Sequence, residues 1–229
     1  MLDSRVFADR SAAGRELAGA VLKLRLPLPV LVLGLPRGGV PVAYEVARAL
    51  HAPLDVLVVR KIGMPGQPEL AIGAIASGDV IVREADSASG LAGLNIPFEQ
   101  IAKRERIELE RRERAYRAGL PPLDLRGRAV VLVDDGLATG ATMVAAVRAA
   151  RKAGAASVVV AAPVASDSAF ALVEAEADQL AILKIPAFLL SIGAWYTNFE
   201  QIEDAEVRAL LERGRHNELA TVPISKGGV

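Results

Sequence analysis

Short unbroken runs of apolar, mostly β-branched residues alternate along this chain with longer stretches in which apolar residues recur every three or four positions. The runs fall at 30–33, 54–59, 130–133, 157–162 and 180–183. Apolar runs of this length, without polar alternation, predict strands covered on both faces. The periodic stretches predict helices over 7–24, 40–50, 141–153, 166–177 and 203–213. In the first of these, Leu17, Val21 and Leu24 share a face, Ser11 is a candidate cap, and Pro27 and Pro29 end the helix. Ser166 and Asp167 are capping candidates for the fourth. Strands that alternate with helices in this way predict an α/β fold: a parallel twisted sheet flanked by helices.

Two stretches interrupt the alternation. Residues 63–69 are rich in Gly and Pro and predict a mobile loop, and two short apolar runs around Ser77-Gly78-Asp79 predict a β-hairpin. Residues 97–117 are dense in charge. Glu108–Arg112, Glu110–Arg114 and Glu113–Arg117 lie four apart with the acid first, the favourable order for helix pairs. With a poor apolar stripe, this helix is expected to be largely exposed, so 63–122 reads as an insertion. Residues 184–200 concentrate aromatics and read as a small C-terminal hood, and the tail from 214 is expected to be loose. The whole chain, 1–229, is read as one domain.

Composition narrows the picture. Hydrophobic residues make up 52% and aromatics only 4%, so the core is built from Ala, Val and Leu. Basic and acidic residues balance at 27 each, which gives no overall field for nucleic acid or a membrane. Arg5, Arg10 and Arg15 are expected on a solvated helix face. Cysteine is absent, which removes disulfides, a thiolate nucleophile and a zinc–cysteine site. No apolar run reaches the ~18 residues of a membrane helix, and residues 1–5 do not open a signal peptide. A cytoplasmic location is expected. His51 and His216 have no partners in spacing and read as structural or surface residues.

The chemistry concentrates in residues 130–142. A buried strand runs directly into Asp134 and Asp135, then into the small-residue turn Gly136-Leu137-Ala138-Thr139-Gly140, with Ala141 and Thr142 opening a helix. A strand, a tight loop and a helix N-terminus form a cradle of backbone N–H groups suited to phosphate. Paired carboxylates at the same strand end suit vicinal hydroxyls. Upstream, the first strand leads into Pro36-Arg37-Gly38-Gly39, a glycine turn expected to be strained, with the Arg37 guanidinium available to an anion. The second strand ends at Arg60-Lys61, which places a basic pair on the same crevice side. No Gly-x-Gly-x-x-Gly or Walker A pattern is present.

Residues 130–142 resemble the phosphoribosyl-pyrophosphate (PRPP) motif of type I phosphoribosyltransferases over its whole length. The Pro-Arg-Gly-Gly turn resembles the pyrophosphate loop of bacterial xanthine-guanine members, where a cis peptide is common, and residues 68–74 resemble a group of uncharacterised bacterial phosphoribosyltransferases. The resemblance implies that Asp134 and Asp135 bind the ribose 2- and 3-hydroxyls and that residues 136–142 hold the 5-phosphate. Arg37, Gly38 and Gly39 would bind pyrophosphate, and Lys61 would lie beside the pyrophosphate or the base. It implies magnesium, bridging mainly substrate oxygens, with Asp134 and Asp135 reaching it through water and no dedicated metal ligand set. A flexible loop carrying Glu69 would close over the substrate, and Phe188, Trp195 and Tyr196 are candidates for stacking on the base. The partners implied are PRPP and a nucleobase-like acceptor, as in purine salvage, with a homodimer as the usual assembly. Hypoxanthine-guanine members carry an acid where this chain has Ala138; its absence resembles the adenine-type motif, whereas the Arg-Gly-Gly loop leans toward xanthine-guanine, and with the two signals in disagreement the base stays unnamed. A PRPP sensor without turnover, or another α/β enzyme with a chance acid pair, are the competing readings.

Overall fold

The computed structural model describes residues 6–64, 67–78, 80–83 and 98–215. The apolar runs form a five-stranded parallel sheet of β1 (Val30–Gly34), β2 (Leu54–Val56), β6 (Ala129–Val133), β7 (Ser157–Val164) and β8 (Gln179–Lys184) in the order β2-β1-β6-β7-β8. Side chains alternate between two cores. Val30, Val32, Val131, Val133, Val159 and Ala161 face helices α1 (Arg10–Leu22), α2 (Gly39–Leu50) and α6 (Asp204–Arg215). Leu31, Leu33, Val130, Leu132, Val158 and Val160 face α4 (Ala141–Lys152) and α5 (Asp167–Glu174). Both faces of the central strands β1 and β6 are covered, which is why those two lack polar side chains, while the edge strands β2 and β8 admit Asp55, Gln179 and Lys184.

Three local expectations change or hold. Asp9, not Ser11, caps α1, its carboxylate accepting from the Ala12 N–H at 2.7 Å. Ser166 does cap α5, accepting from the Ala169 N–H at 3.0 Å. The strand ending at Pro163 continues to Val164, because the Pro163 position needs no N–H of its own for the observed pairing of Ala162 and Val164 with β8.

The segment expected to be a mobile loop is largely strand. β3 (Val59–Met64), β4 (Gln67–Ala76) and β5 (Val80–Arg83) form a second, antiparallel sheet, with an irregularity at Ile62–Met64 and a turn at Gly78, whose φ is +78°. The run expected over 54–59 therefore divides. β2 stops at Val56, and Arg60 and Lys61 lie within β3 rather than at the carboxyl end of a central strand. Arg60 is committed to an ion pair with Glu105 at 2.6 Å, and Lys61 is exposed. The Glu69 side chain lies outside the described residues.

Helix α3 (Phe98–Arg117) is more than a solvated arm. It carries the expected Glu108–Arg112 and Glu113–Arg117 pairs at 2.9 and 3.6 Å, but it also buries Phe98, Ala102, Leu109 and Tyr116 in the main core. Its last turn is clamped. Arg117 pairs with Asp55 of β2 at 3.1 Å, and Tyr116 donates to Asp204 of α6 at 2.6 Å. Burial and that hydrogen bond push the Tyr116 hydroxyl up to about 12. Glycine conformation matters at Gly140, whose φ of +74° lets the loop after β6 turn into α4. His51 ends α2 in the left-handed region with φ +50°; His216, Arg5 and the tail from 216 lie outside the described residues. Among the described residues no helix is long and apolar enough to cross a membrane.

Candidate active site

The sheet order reverses between β1 and β6. From β1 the chain moves outward to β2 by way of α2 on one face; from β6 it moves the other way to β7 by way of α4 on the opposite face. The loops leaving the two central strands therefore diverge, and a crevice opens at their carboxyl ends, the place where open α/β sheets bind ligands. The sequence puts its two glycine-bearing motifs on these two loops.

Contact between the loops is backbone to backbone. The Leu35 N–H donates to the Val133 carbonyl at 2.9 Å, extending the β1–β6 ladder into the turn. The peptide between Pro36 and Arg37 is cis. A Cβ on Gly39 would lie 2.5 Å from the Val133 oxygen, and one on Gly38 would lie 2.0 Å from Asp135 Oδ2. Gly38 itself has ordinary helical angles, φ −60° and ψ −32°. Its glycine identity answers close approach rather than a strained turn, which corrects the conformational expectation from sequence. The Arg37 side chain is half-buried and makes no hydrogen bond or ion pair with any described residue.

The loop after β6 is anchored on its far side. Leu137 donates to Val164 at 2.9 Å and accepts from the Ser166 N–H at 2.9 Å, while the Ser166 hydroxyl donates to the Ala138 carbonyl at 2.7 Å. The N–H groups of Ala138, Thr139, Gly140, Ala141 and Thr142 find no acceptor among the described residues. Thr139 and Thr142 are exposed beside them. Five free donors around a helix N-terminus form an anion cradle.

Each acid is tied by one oxygen. Asp134 Oδ1 accepts from the Asp135 N–H at 2.9 Å, and Asp135 Oδ2 accepts from Arg10 Nε at 2.8 Å. A side-chain hydrogen bond also joins the two acids to each other. Burial, and next the neighbouring Asp135 charge, hold the Asp134 carboxyl well above the usual carboxylate range. Burial also raises Asp135, against the lowering influence of Arg10. Two desolvated acids side by side, hydrogen-bonded to each other, form a polar pair of the kind that suits hydroxyl groups.

Arg10 is the residue that sequence reasoning misplaces. It is 8% exposed, not solvated. Its guanidinium lies 3.8 Å from the Phe199 ring centroid, and its Nη1 donates to the Glu200 carbonyl at 2.9 Å. Its carboxylate partner is 125 residues away, and no local pattern carries that signal.

The hood is built on the N-terminal segment. Phe7 and Tyr196 form a parallel bridge, with Phe7 donating to the Trp195 carbonyl and Thr197 donating to that of Phe7, both at 2.8 Å. Tyr196 is 6% exposed, packed between Phe7 and Phe199, and its hydroxyl donates to the Asp135 carbonyl at 2.6 Å. The structure thus gives Tyr196 a buttressing place, with its ring faces taken by neighbours rather than open to a base. Trp195 is half-buried with the Lys184 ammonium 5.9 Å from its ring. Phe188 is 89% exposed. Ile192 presses on the loop, where a Cβ on Gly136 would lie 2.6 Å from it. Lys61, exposed on the second sheet, makes no hydrogen bond or ion pair with these groups among the described residues.

Around a switch-point crevice the structure gathers loop N–H groups, an arginine turn and a pair of adjacent acids. This chain belongs to the phosphoribosyltransferase family: the phosphoribosyl transferase domain matches residues 27–207, and the fold is that of the type I enzymes. It is 46% identical over 213 residues, 93% of its length, to the Mycobacterium tuberculosis protein Rv0571c, whose name carries a phosphoribosyl transferase assignment provisionally. It spans about half (48%) of the length of that relative. The crystal structure of TT1426 from Thermus thermophilus superposes with a TM-score of 0.82 at 42% identity, covering 91% of this chain and 99% of that one.

Proposed function

We propose that this chain transfers the 5-phosphoribosyl group of PRPP to a ring nitrogen of a nucleobase-like acceptor, releasing pyrophosphate. The observation that carries the reading is the meeting of three groups at one switch point: five loop N–H donors unpaired among the described residues, two adjacent buried acids, and Arg37, which pairs with no described residue. The cradle takes the 5-phosphate. Asp134 Oδ2 and Asp135 Oδ1 accept from the ribose hydroxyls. Arg37 takes the diphosphate.

In the reaction the C1–O bond to pyrophosphate breaks, the bond from C1 to the ring nitrogen forms, and the proton of that nitrogen is lost. Positive charge gathers on the ribose ring as the leaving group departs. Catalysis then consists of holding both partners in line and stabilising the charge on the departing oxygen, the part given to Arg37. Magnesium fits this donor set as part of the substrate complex. Among the described residues no group of three or more acidic, His or Cys side chains could hold an ion alone, so Asp134 and Asp135 would share it with substrate oxygens and water. Bound there, it would neutralise diphosphate charge. Phe188 and Trp195 are the stacking candidates for the acceptor. We place the reaction in the cytoplasm, in keeping with a chain that has no cysteine.

Calorimetry with PRPP and magnesium on the wild type and on the variant carrying both Asp134→Asn and Asp135→Asn tests the ribose assignment. Undiminished binding in the variant would overturn it. Pyrophosphate release across a panel of bases then tests turnover. Bound PRPP with silence across the panel would identify a sensor of PRPP instead.

A further inference from the structure

Arg10 lies outside every motif of the site, yet it is the side chain that fixes the orientation of Asp135. Three contacts determine where its guanidinium sits: Nη1 on the Glu200 carbonyl, the Phe199 ring beneath it, and Nε on Asp135 Oδ2. The first two belong to the hood. The helix that carries Arg10 is joined to the same hood through Phe7 and through Asn198, whose N–H donates to Ala8 at 2.9 Å. Arg10 thus links the hood, through Phe199 and Glu200, to one of the two acids at the end of β6.

The geometry selects one carboxylate oxygen. Oδ2 is committed to Arg10 and wedged against Gly38, which leaves Oδ1 as the oxygen a hydroxyl would meet beside Asp134. A charge-assisted hydrogen bond to a buried carboxylate is short and directional, so it fixes the side-chain torsion as well as the charge. Without it, Asp135 would be a buried acid with no cationic partner and a freer side chain.

We infer that Arg10 is a positioning residue for PRPP, acting through Asp135: it holds the carboxylate with Oδ1 turned to a ribose hydroxyl, and it ties that orientation to the seating of the hood. This rests on the ribose role proposed above for Asp135. A structural role in folding alone would lower stability without depending on Asp135.

A double-variant cycle separates the two. The variants are Arg10→Met, which keeps the stem against Phe199 and removes the donor, Asp135→Asn, and both together, each titrated with PRPP and magnesium and, as a control, with inorganic phosphate. Arg10→Met is expected to weaken PRPP at least about tenfold and phosphate less than about threefold. In the Asp135→Asn background the same change is expected to cost PRPP binding less than about threefold, because residues acting through one group are not additive. Arg10→Lys, which keeps the charge but not the Nε geometry, should recover part of the loss and serves if Arg10→Met does not fold. Equal PRPP binding by wild type and Arg10→Met, or full additivity, would overturn the inference while leaving the proposed function standing. If wild-type protein does not bind PRPP, both fall.

Discussion

Replacing Gly38 by alanine isolates what the packing of the two loops is worth. The backbone at Gly38 is ordinary, so an added methyl meets no conformational penalty. It meets the Asp135 carboxylate, with Oδ2 at 2.0 Å and Cγ at 2.6 Å, where real Cβ contacts are not found below 3.0 Å. The carboxylate must retreat by about an ångström, or the turn must lift. Retreat lengthens the Arg10 hydrogen bond, now 2.8 Å, beyond useful range. A lost hydrogen bond to a charged group costs about 1.5–3 kcal/mol. Overpacking adds about 1–3 kcal/mol, and the loss of glycine's unfolded-state freedom returns about 0.4–1 kcal/mol. The net expectation is a destabilisation of about 2–5 kcal/mol, a fall in Tm of about 5–15 °C for a chain of this size. PRPP binding should fall with it.

The assay is thermal and denaturant unfolding beside an internal control. Gly19 lies on the exposed face of α1 with nothing within 4 Å of its would-be Cβ, so Gly19→Ala should stabilise by about 0.5–1 kcal/mol. The same chemical change then gives opposite signs at two sites. A Gly38→Ala protein with Tm within about 2 °C of wild type and PRPP binding intact would refute the reasoning, because Asp135 would then have room that the structure denies it.

Two further expectations concern single groups. Arg37→Ala should weaken pyrophosphate about 10–100-fold, the range of one charge-assisted contact, and ribose 5-phosphate less than about threefold; equal losses by calorimetry would contradict its assignment to the diphosphate. The raised Asp134 pKa has a sign that can be measured in the ligand-free protein. Unfolded, the carboxyl titrates near about 4; folded, it keeps its proton to higher pH. Between the two values the native state binds more protons than the unfolded state, so this group's contribution to stability falls as pH rises through that window. Asp134→Asn should flatten that part of the Tm–pH profile, and an unchanged slope would show that the burial of Asp134 is not felt.

The parts of this molecule that sequence can reveal are those written in consecutive residues. The core strands declare themselves because burial on both faces makes their central positions apolar, and the helices between them because one face repeats. The loop at 136–142 is visible for the same reason: the phosphate cradle proposed there consists of backbone N–H groups of neighbouring residues, so its signature is local. The second sheet escapes this reading where Pro65 and Gly66 break the pattern between β3 and β4, although strand pairing across the break supplies what local propensity lacks. Arg60 and Lys61 fall at a central strand end only if an apolar run stays in one sheet, whereas the chain leaves the central sheet after Val56.

What stays hidden shares one property: the partner is fixed by strand order rather than by spacing. Gly38 meets Asp135 because β1 lies beside β6, and that adjacency is a choice among several orders open to the same string of elements. Arg10 meets Asp135 because the N-terminal helix covers the sheet face beneath the hood. Neither partner can be found by reading along the chain, yet both bear on the same carboxylate. Local sequence therefore specifies which groups the proposed site offers to phosphate, while the topology specifies how rigidly the adjoining acid is presented. A variant that spares the motif but disturbs its distant supports, such as Gly38→Ala, should leave the phosphate cradle competent and impair the recognition of ribose, which is the division of labour the arrangement of the two loops requires.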